Sequence, residues 1–482
     1  MTRRAPSVLR AAAAMSAVLA TGCALGPDYR RPETATPAAY RFENDATADS
    51  VADAGWWQVY QDPLLQSLIR EALANNLDVR MAAARIDQAR AVLGSARLQQ
   101  LPQVSVSAGA TRQRTSLSEL PPGVPPVGNV FSAEGGVSYE IDFWGKYARA
   151  TEAARAQLLQ SVYAKQDVMA GLVASVATAY FTLQTLDDEL TITHRTVDSR
   201  QKFVDLTQAQ HDRGTVSELD VATAQAQLAS AKATLPDLQR QIGQTEDQLS
   251  VLLGSYPNQV RRSAGGANSN LDHAPPPVPA AGLPSSLLER RPDLREAEQN
   301  LVAANAEVGV AKANLFPSIT LTALGGGVSD ALSSLFSGPA RTWVGGAELL
   351  QPVLSPQRSL YQLELANAQK RQALLQYQKS VRTAFQEVSD ALIARREDAE
   401  LQAAQEAQVD AQRRANTIAL ARYRVGYASY FNVIDADRDL FIAELSLSAA
   451  RLNTLLSVVQ LYRALGGGWQ VEQAASAAAG LH

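Results

Sequence analysis

Two long stretches of this chain lack proline: none lies between Pro126 and Pro236, and none follows Pro356. Proline interrupts the hydrogen-bond ladder of a helix interior, so its absence over such lengths is the strongest constraint on the fold. The residues from Lys146 to Arg213 read as one helix, which at 1.5 Å per residue spans roughly 100 Å. Within it Val162, Met169, Val176, Leu183, Leu190, Val197 and Val204 recur at every seventh position. Seven does not divide evenly into 3.6-residue turns, so holding that seam against a neighbour requires left-handed supercoiling. Val221, Leu228, Leu235, Ile242 and Leu249 keep the same period through 216–254, where Pro236 predicts a kink or break. Hydrophobic residues make up 46% of the chain but aromatics only 6%. That Ala-, Leu- and Val-rich mixture suits narrow helical seams better than thick globular cores.

The chain also repeats itself. Asp78-Val79-Arg80 matches Asp293-Leu294-Arg295, and Leu101-Pro102 matches Phe316-Pro317 at the same offset. Arg213-Gly214 with Ser217 parallels Val425-Gly426 with Ser429, and Leu253-Gly254 parallels Leu465-Gly466. Ordered landmarks of this kind mark a tandem duplication. The first repeat covers 64–254, with a helix at 64–98, a β-hairpin at 103–143 and long helices at 146–213 and 216–254. The second covers 284–468, with a helix at 284–314, a hairpin at 317–353 and long helices at 357–425 and 429–466. A linker rich in Pro, Gly and Asn (255–283) joins them, and 469–482 is a tail. In each repeat the two shorter helices together match the long one in length, which suggests one long helix beside two placed end to end.

The hairpin segments alternate. Val104, Val106, Ala108 and Ala110 oppose Gln103, Ser105, Ser107 and Thr111, and residues 131–143 place Phe131, Ala133, Val137, Tyr139, Ile141 and Phe143 on one face. Ile319, Leu321 and Ala323 alternate with Ser318, Thr320 and Thr322, whereas 341–351 is less regular. One apolar and one polar face fits either a sheet on a core or a barrel wall between lipid and water. Four strands leave two open edges, which lipid does not tolerate, so a barrel needs several copies of the chain.

Arg3, Arg4 and Arg10 precede the apolar run Ala11 to Ala20, and Ala20-Thr21-Gly22-Cys23 follows. This reads as a signal peptide over 1–22 with a bacterial lipobox, making Cys23 the lipidated first residue of an extended segment, 23–63. Ala24 after the cysteine, in place of the Asp that retains lipoproteins at the inner membrane, directs it to the outer one. No run of about 18 apolar residues follows, so no ordinary transmembrane helix is expected. Forty-four basic and 48 acidic residues leave a formal charge of -4, with no basic excess to attract nucleic acid. One cysteine and four scattered histidines exclude a disulfide scaffold and make a Cys/His metal cluster unexpected. His194, His211, His273 and His482 have no sequence neighbour for a catalytic triad. Gly325-Gly326-Gly327 and Gly466-Gly467-Gly468 lack a phosphate-loop lysine. No enzymatic chemistry is expected.

Several motifs bear a resemblance. They are Gly22-Cys23 with Gly26-Pro27-Asp28-Tyr29 and Arg31-Pro32; Trp56-Trp57 with Asp62-Pro63-Leu64; Tyr139-Glu140-Ile141-Asp142-Phe143-Trp144-Gly145-Lys146; Arg290-Arg291-Pro292-Asp293-Leu294; and Ala464-Leu465-Gly466-Gly467-Gly468-Trp469. In these the chain resembles the TolC-like outer-membrane factor family, most closely its efflux lipoprotein branch of OprM/NodT type. The resemblance implies an α+β, mostly α fold. Three copies would form an outer-membrane β-barrel, four strands per chain, continued by a periplasmic α-helical coiled-coil barrel. It implies a homotrimer acting as a passive gated exit duct for drugs or other small molecules. Its partners would be a periplasmic adaptor and an inner-membrane transporter of the RND type. No cofactor is implied beyond covalent lipid on Cys23, a diacylglycerol and an N-acyl chain such as palmitate.

By the same resemblance, Tyr423, Asp435 and Arg438 close the periplasmic end, with Phe431 as an apolar plug and Asp220 as a partner carboxylate from the first repeat. The family's TolC-type gate has an arginine where Ala428 stands and an aspartate where Asn432 stands, so that bonding pattern is not carried over. The helix tips, Gly214-Thr215-Val216-Ser217 and Gly426-Tyr427-Ala428-Ser429, are expected to meet the adaptor, with Gly214, Thr215, Val216, Ser217, Gly426, Ala428 and Ser429 in contact. The two glycines are also expected to supply the positive φ that ends a helix. Competing readings are the exit duct of a type I protein secretion system and a lipid-anchored periplasmic coiled-coil adaptor. An adaptor would show lipoyl-like β-domains between its helix arms, whereas here the strands precede each long helix.

Overall fold

The computed structural model describes residues 24–33, 37, 40–41, 55–116, 118, 121–123, 125–262, 286–351 and 356–469. The signal peptide, Cys23, most of the linker and residues 470–482 lie outside them, so the lipobox assignment has no structural counterpart here. The chain divides into two compact units. One comprises 1–33, 85–161 and 296–378; the other comprises 34–84, 162–295 and 379–482.

In chain order the elements are α1 (Trp56–Val59), α2 (Pro63–Asn75), α3 (Leu77–Leu98), β1 (Gln103–Arg114), β2 (Val127–Glu140), α4 (Lys146–Asp212) and α5 (Glu218–Leu252). After these come α6 (Leu287–Arg290), α7 (Pro292–Ala313), β3 (Ser318–Ser329), β4 (Arg341–Leu350), α8 (Pro356–Arg424) and α9 (Tyr430–Ala464), with two short 3₁₀ turns between β3 and β4.

The first unit holds an antiparallel sheet of order β1-β2-β3-β4. Its register pools the apolar residues. Val104 pairs Val137, Ala108 pairs Ala133 and Ala110 pairs Phe131. Val137 continues to Ala323 and Tyr139 to Leu321, then Leu321 to Ala347, Ile319 to Leu349 and Gly325 to Trp343. Paired residues share a face, so the irregular β4 falls into place with Trp343, Ala347 and Leu349 on the apolar side. The opposite face collects Ser105, Ser107, Glu134, Ser138, Thr320, Thr322 and Glu348, with Leu324, Val344 and Leu350 among them. β1 and β4 are exposed along their whole lengths, Val106 at 85% and Trp343 at 84%. Leu335 and Ala340 of the β3–β4 connection are buried against the sheet at Gly327.

β2 ends at Glu140 rather than continuing to 143. The reason is Asp142, whose carboxylate accepts the Tyr147 and Ala148 N–H groups at 3.1 and 2.8 Å and so turns the chain into α4. Phe143 stacks edge-on against Trp144, which lies over Phe316 at 4.6 Å and donates to the Pro317 carbonyl at 2.9 Å. Residues 24–31 are strapped onto the same unit. Leu25 N–H donates to the Trp144 carbonyl, Arg149 pairs with Asp28 at 2.8 Å, and Tyr29 and Arg31 both donate to Glu298. Gly26, at φ +111°, is pressed so close to Gly309 that a Cβ on it would stand 2.6 Å from the Gly309 Cα.

In the second unit, Trp56, Leu65 and Ile69 pack with Val176, Tyr180 and Leu249. Asp62 caps α2 by accepting Leu64 N–H at 2.8 Å, and its other oxygen takes the Tyr180 hydroxyl at 2.5 Å. The heptad seam of α4 lies inward: Met169, Val176, Leu183 and Val204 are buried. Thr193, Arg200 and Thr207 are buried beside it. By length and composition α4 and α9 each contain a window apolar enough to cross a bilayer, but 67% of the first and 50% of the second are buried. These are core segments of a helical bundle.

Four further expectations are corrected. Neither early helix is continuous: 64–98 breaks at Asn76 and 284–314 at Arg291. Both break residues reach the end of a later helix. Asn76 Nδ2 donates to the Leu252 carbonyl and Arg291 Nη1 to the Ala464 carbonyl, each at 3.0 Å. They satisfy carbonyls that the helix end leaves without partners. Pro236 does not break its helix, because α5 runs through it with Ala231 and Leu238 buried on either side. Packing there outweighs one lost hydrogen bond. Finally, the linker does not begin as loose chain. Val260 is buried, and Arg262 reaches both Asp187, at 2.6 Å, and Glu246.

Candidate functional site

The two turns that join the long helices share one backbone. At the first, Gly214 N–H reaches the His211 carbonyl and Thr215 N–H the Gln210 carbonyl; at the second, Gly426 reaches Tyr423 and Tyr427 reaches Arg422. This is the Schellman pairing, and it demands a left-handed residue: Gly214 sits at φ +73° and Gly426 at φ +79°. A serine then stands at the N-cap position of each returning helix. Ser217 forms a capping box with Asp220, whose carboxylate accepts Ser217 N–H at 3.0 Å and its hydroxyl at 2.8 Å. Asp220 thus serves its own helix start. At the second turn Asn432 takes that place, accepting the Ser429 hydroxyl at 2.8 Å. Gly214, Thr215, Ser217, Gly426 and Ser429 are exposed, and Val216 and Ala428 half-buried.

Tyr423, half-buried beneath the second turn, donates its hydroxyl to Gln210 Oε1 at 2.9 Å and so ties α8 to α4. Its ring leans on Phe203 and Tyr430, which stack on each other at 4.8 Å. Burial pushes the Tyr423 phenol above its ordinary pKa, and the nearby Asp220 charge adds to this. Tyr430 is raised in the same way, burial acting first. Phe431 is 71% exposed. Asp435 pairs with Arg438 at 2.5 Å, and Arg438 also holds Asp439 at 2.9 Å. The structure therefore joins Tyr423 to the first turn and joins Asp435 to Arg438 along an exposed helix face, with Phe431 exposed one turn before Asp435 on the same helix.

Sequence reasoning missed Gln210, Phe203 and Tyr430, and it missed a set of charges deeper in the seam. Arg200 Nε donates to Asp437 Oδ2 at 2.7 Å and Nη1 to the Gln227 carbonyl at 2.8 Å, with the guanidinium over the Phe441 ring. Glu444 lies between Arg195 and Arg413. A signal was present: Asp437, Glu444 and Arg451 recur at every seventh residue of α9, in step with Tyr430 and Val458.

Compared with known proteins, the chain matches the family model described as outer membrane efflux protein, over residues 68–255 and again over 283–467. It is 37% identical over 463 residues to the probable efflux pump outer membrane protein TtgC of Pseudomonas putida, covering 95% of each. To the cation efflux system protein CusC of Escherichia coli it is 32% identical over 457 residues, covering 94% of this chain and 97% of the relative. Among solved structures it superposes on the outer-membrane channel OprN with a TM-score of 0.85 at 29% identity, covering 93% of this chain and 100% of that one. The four-stranded sheet, the two Schellman turns and these matches lead to one conclusion: the chain belongs to the outer membrane efflux protein family.

Proposed function

We propose that three copies of this chain form a passive exit duct in the outer membrane. It would receive drugs or other small molecules from an inner-membrane transporter of the RND type through a periplasmic adaptor. The observation that carries this reading is the sheet. Its register gathers one mainly apolar and one mainly polar face, β1 and β4 are exposed along their whole lengths, and each leaves an edge unpaired. Membrane strands require lipid on one face, water on the other and closure of every edge. Three copies give twelve strands, with the apolar face toward lipid and Ser105, Glu134, Thr322 and Glu348 toward the bore. The aromatic cluster Phe143–Trp144–Phe316 and the strap from residue 24 would lie at the membrane surface, where lipid on Cys23 would anchor. The doubled family match, the paired Schellman turns and the equivalent roles of Asn76 and Arg291 support a tandem repeat.

Tyr423, Phe431, Asp435, Arg438 and Asp220 form the periplasmic gate. Three-fold symmetry triplicates every charge near the axis. The exposed tip residues around Gly214 and Gly426 meet the adaptor. Such a duct is a transport component and no enzyme. The test is the protein in detergent: a trimer that conducts in planar bilayers is expected, and a monomer without conductance would overturn the proposal.

A further inference from the structure

We infer that the outer rim of the sheet binds a phosphate-bearing glycolipid of the outer leaflet, of the lipid A class, through Arg112, Arg114 and Arg341 above Trp343. The inference rests on the barrel reading and adds to it a ligand that neither the duct nor its gate requires. Charge is segregated between the two faces of the sheet. The strands contain three arginines and three carboxylates. Register puts every arginine on the mainly apolar face. Arg112 and Arg114 continue the alternation of Val104, Val106, Ala108 and Ala110, and Arg341 pairs with Gly327, in line with Ala133 and Ala108. Glu134, Glu140 and Glu348 all fall on the opposite face, Glu140 and Glu348 both beside Thr320. A slip of one residue in a strand would invert its set, so the pairing fixes this separation.

The arginines also share one end of the sheet. The strand ends at Gln103, Glu140, Ser318 and Leu350 adjoin helices α3, α4, α7 and α8, so the ends at Arg114, Val127, Ser329 and Arg341 are the outer ones in a barrel. Val104 lies in line with Gly345, four residues from Leu349, and Arg341 lies in line with Ala108, four residues from Arg112. That equal stagger is what tilted barrel strands need, and it brings Arg112 and Arg341 level. Eight residues of tilted strand rise roughly 20 Å, from Val104 or Leu349 to the arginine, which reaches the edge of an apolar band about 25 Å tall. Closure sets β1 of one copy beside β4 of the next, so Arg112 and Arg114 of one copy and Arg341 of its neighbour face the same stretch of lipid. All three are exposed. Arg112 donates to Asn129 Oδ1 at 3.3 Å, and among the described residues no carboxylate pairs with Arg114 or Arg341. A guanidinium facing lipid is costly at the membrane centre and tolerated at headgroup level, where its fork takes phosphate through paired hydrogen bonds. Three of them per seam match a headgroup with two phosphates better than one with a single phosphate. Below Arg341, Trp343 presents an aromatic ring at interfacial depth. The β3–β4 connection, which crosses this face at Gly327, adds the exposed Leu332 and Phe336. Phosphate above and acyl chains below describe a lipid, whereas a soluble anion would use the arginines alone.

The test is native mass spectrometry of the full-length trimer in detergent, with lipid A as the probe and conductance in planar bilayers measured in parallel. Saturable binding of lipid A is expected, and Arg112→Gln and Arg341→Gln should each weaken it about tenfold. Arg90→Gln, the same charge change at an exposed arginine of α3, should leave it unchanged. Lipid A stripped of phosphate and phosphatidylglycerol, with its single phosphate, should both bind more weakly, and inorganic phosphate should not compete at equal concentration. The inference is overturned if Arg112→Gln and Arg341→Gln bind lipid A like the wild type, or if either weaker lipid binds equally well. Competition by inorganic phosphate at equal concentration would show a site for small anions and overturn it too. If the glutamine variants do not assemble, Arg341→Lys keeps the charge and loses the fork, and undiminished binding by that variant overturns the inference equally. A trimer that conducts but binds no lipid A overturns this inference alone, whereas a protein that neither trimerises nor conducts overturns the duct reading itself.

Discussion

The turn between α4 and α5 and the turn between α8 and α9 begin from the same backbone and end in different seams. Both reverse through a glycine at nearly the same φ and both start the next helix at a serine. Beyond that, the first is closed by a carboxylate capping box and an apolar stripe. The second has an amide at the capping position and, beyond Tyr430 and Val433 that share the apolar cluster of Leu228, a charged stripe. Turn geometry therefore says how the chain reverses, and the residues behind it decide how firmly the hairpin is held.

The largest effect should separate the seams directly. Leu228→Ala removes a buried side chain of the α5 stripe and should destabilise by about 3 kcal/mol. A denaturation series showing less than about 1 kcal/mol would erase the contrast between an apolar and an ionic seam. Next, Gly214→Ala and Gly426→Ala should each cost about 1 kcal/mol, because alanine must adopt a left-handed φ while its Cβ meets open space at both sites. Unequal losses would show that the turns are not equivalent. Smaller still, Asp220→Asn should cost about 0.5 kcal/mol by weakening the box, and Asn432→Asp should return a similar amount at the second turn. Matching signs in calorimetry would contradict that reading. Last, Asp435→Ala should leave the melting temperature unchanged, since its pair with Arg438 is exposed on one helix. It should nevertheless raise conductance if the carboxylate belongs to the gate; an unchanged conductance would remove it from that role.

Much of this was legible beforehand where the signal was periodic. The valines and leucines at every seventh residue of α4 marked a buried seam, and Met169, Val176, Leu183 and Val204 are buried. Asp142 was visible only as a polar residue in an alternating run, whereas in the structure it ends β2 by capping α4. Pro236 carried a local expectation of a kink or break, and the helix runs on through it without a break. Asn76 and Arg291 gave no local sign of breaking a helix, because each is used by a carbonyl more than a hundred residues away in the chain. Among the residues around the second turn, Tyr423 could be named, but Gln210, its hydrogen-bond partner, could not.

By itself, the sequence determined the long helices, the left-handed glycine turns and the two-faced strands. These follow from covalent geometry: a residue's period and its tolerance of positive φ are local properties. Only the tertiary structure decided the register that gathers Val104, Val137, Ala323 and Ala347 on one face of the sheet. It alone decided that Arg200, Asp437 and Glu444 face inward while Lys232 faces out. A charge at a heptad position reads the same whether it meets water or an opposite charge, and what lies opposite is set by packing between helices distant in sequence.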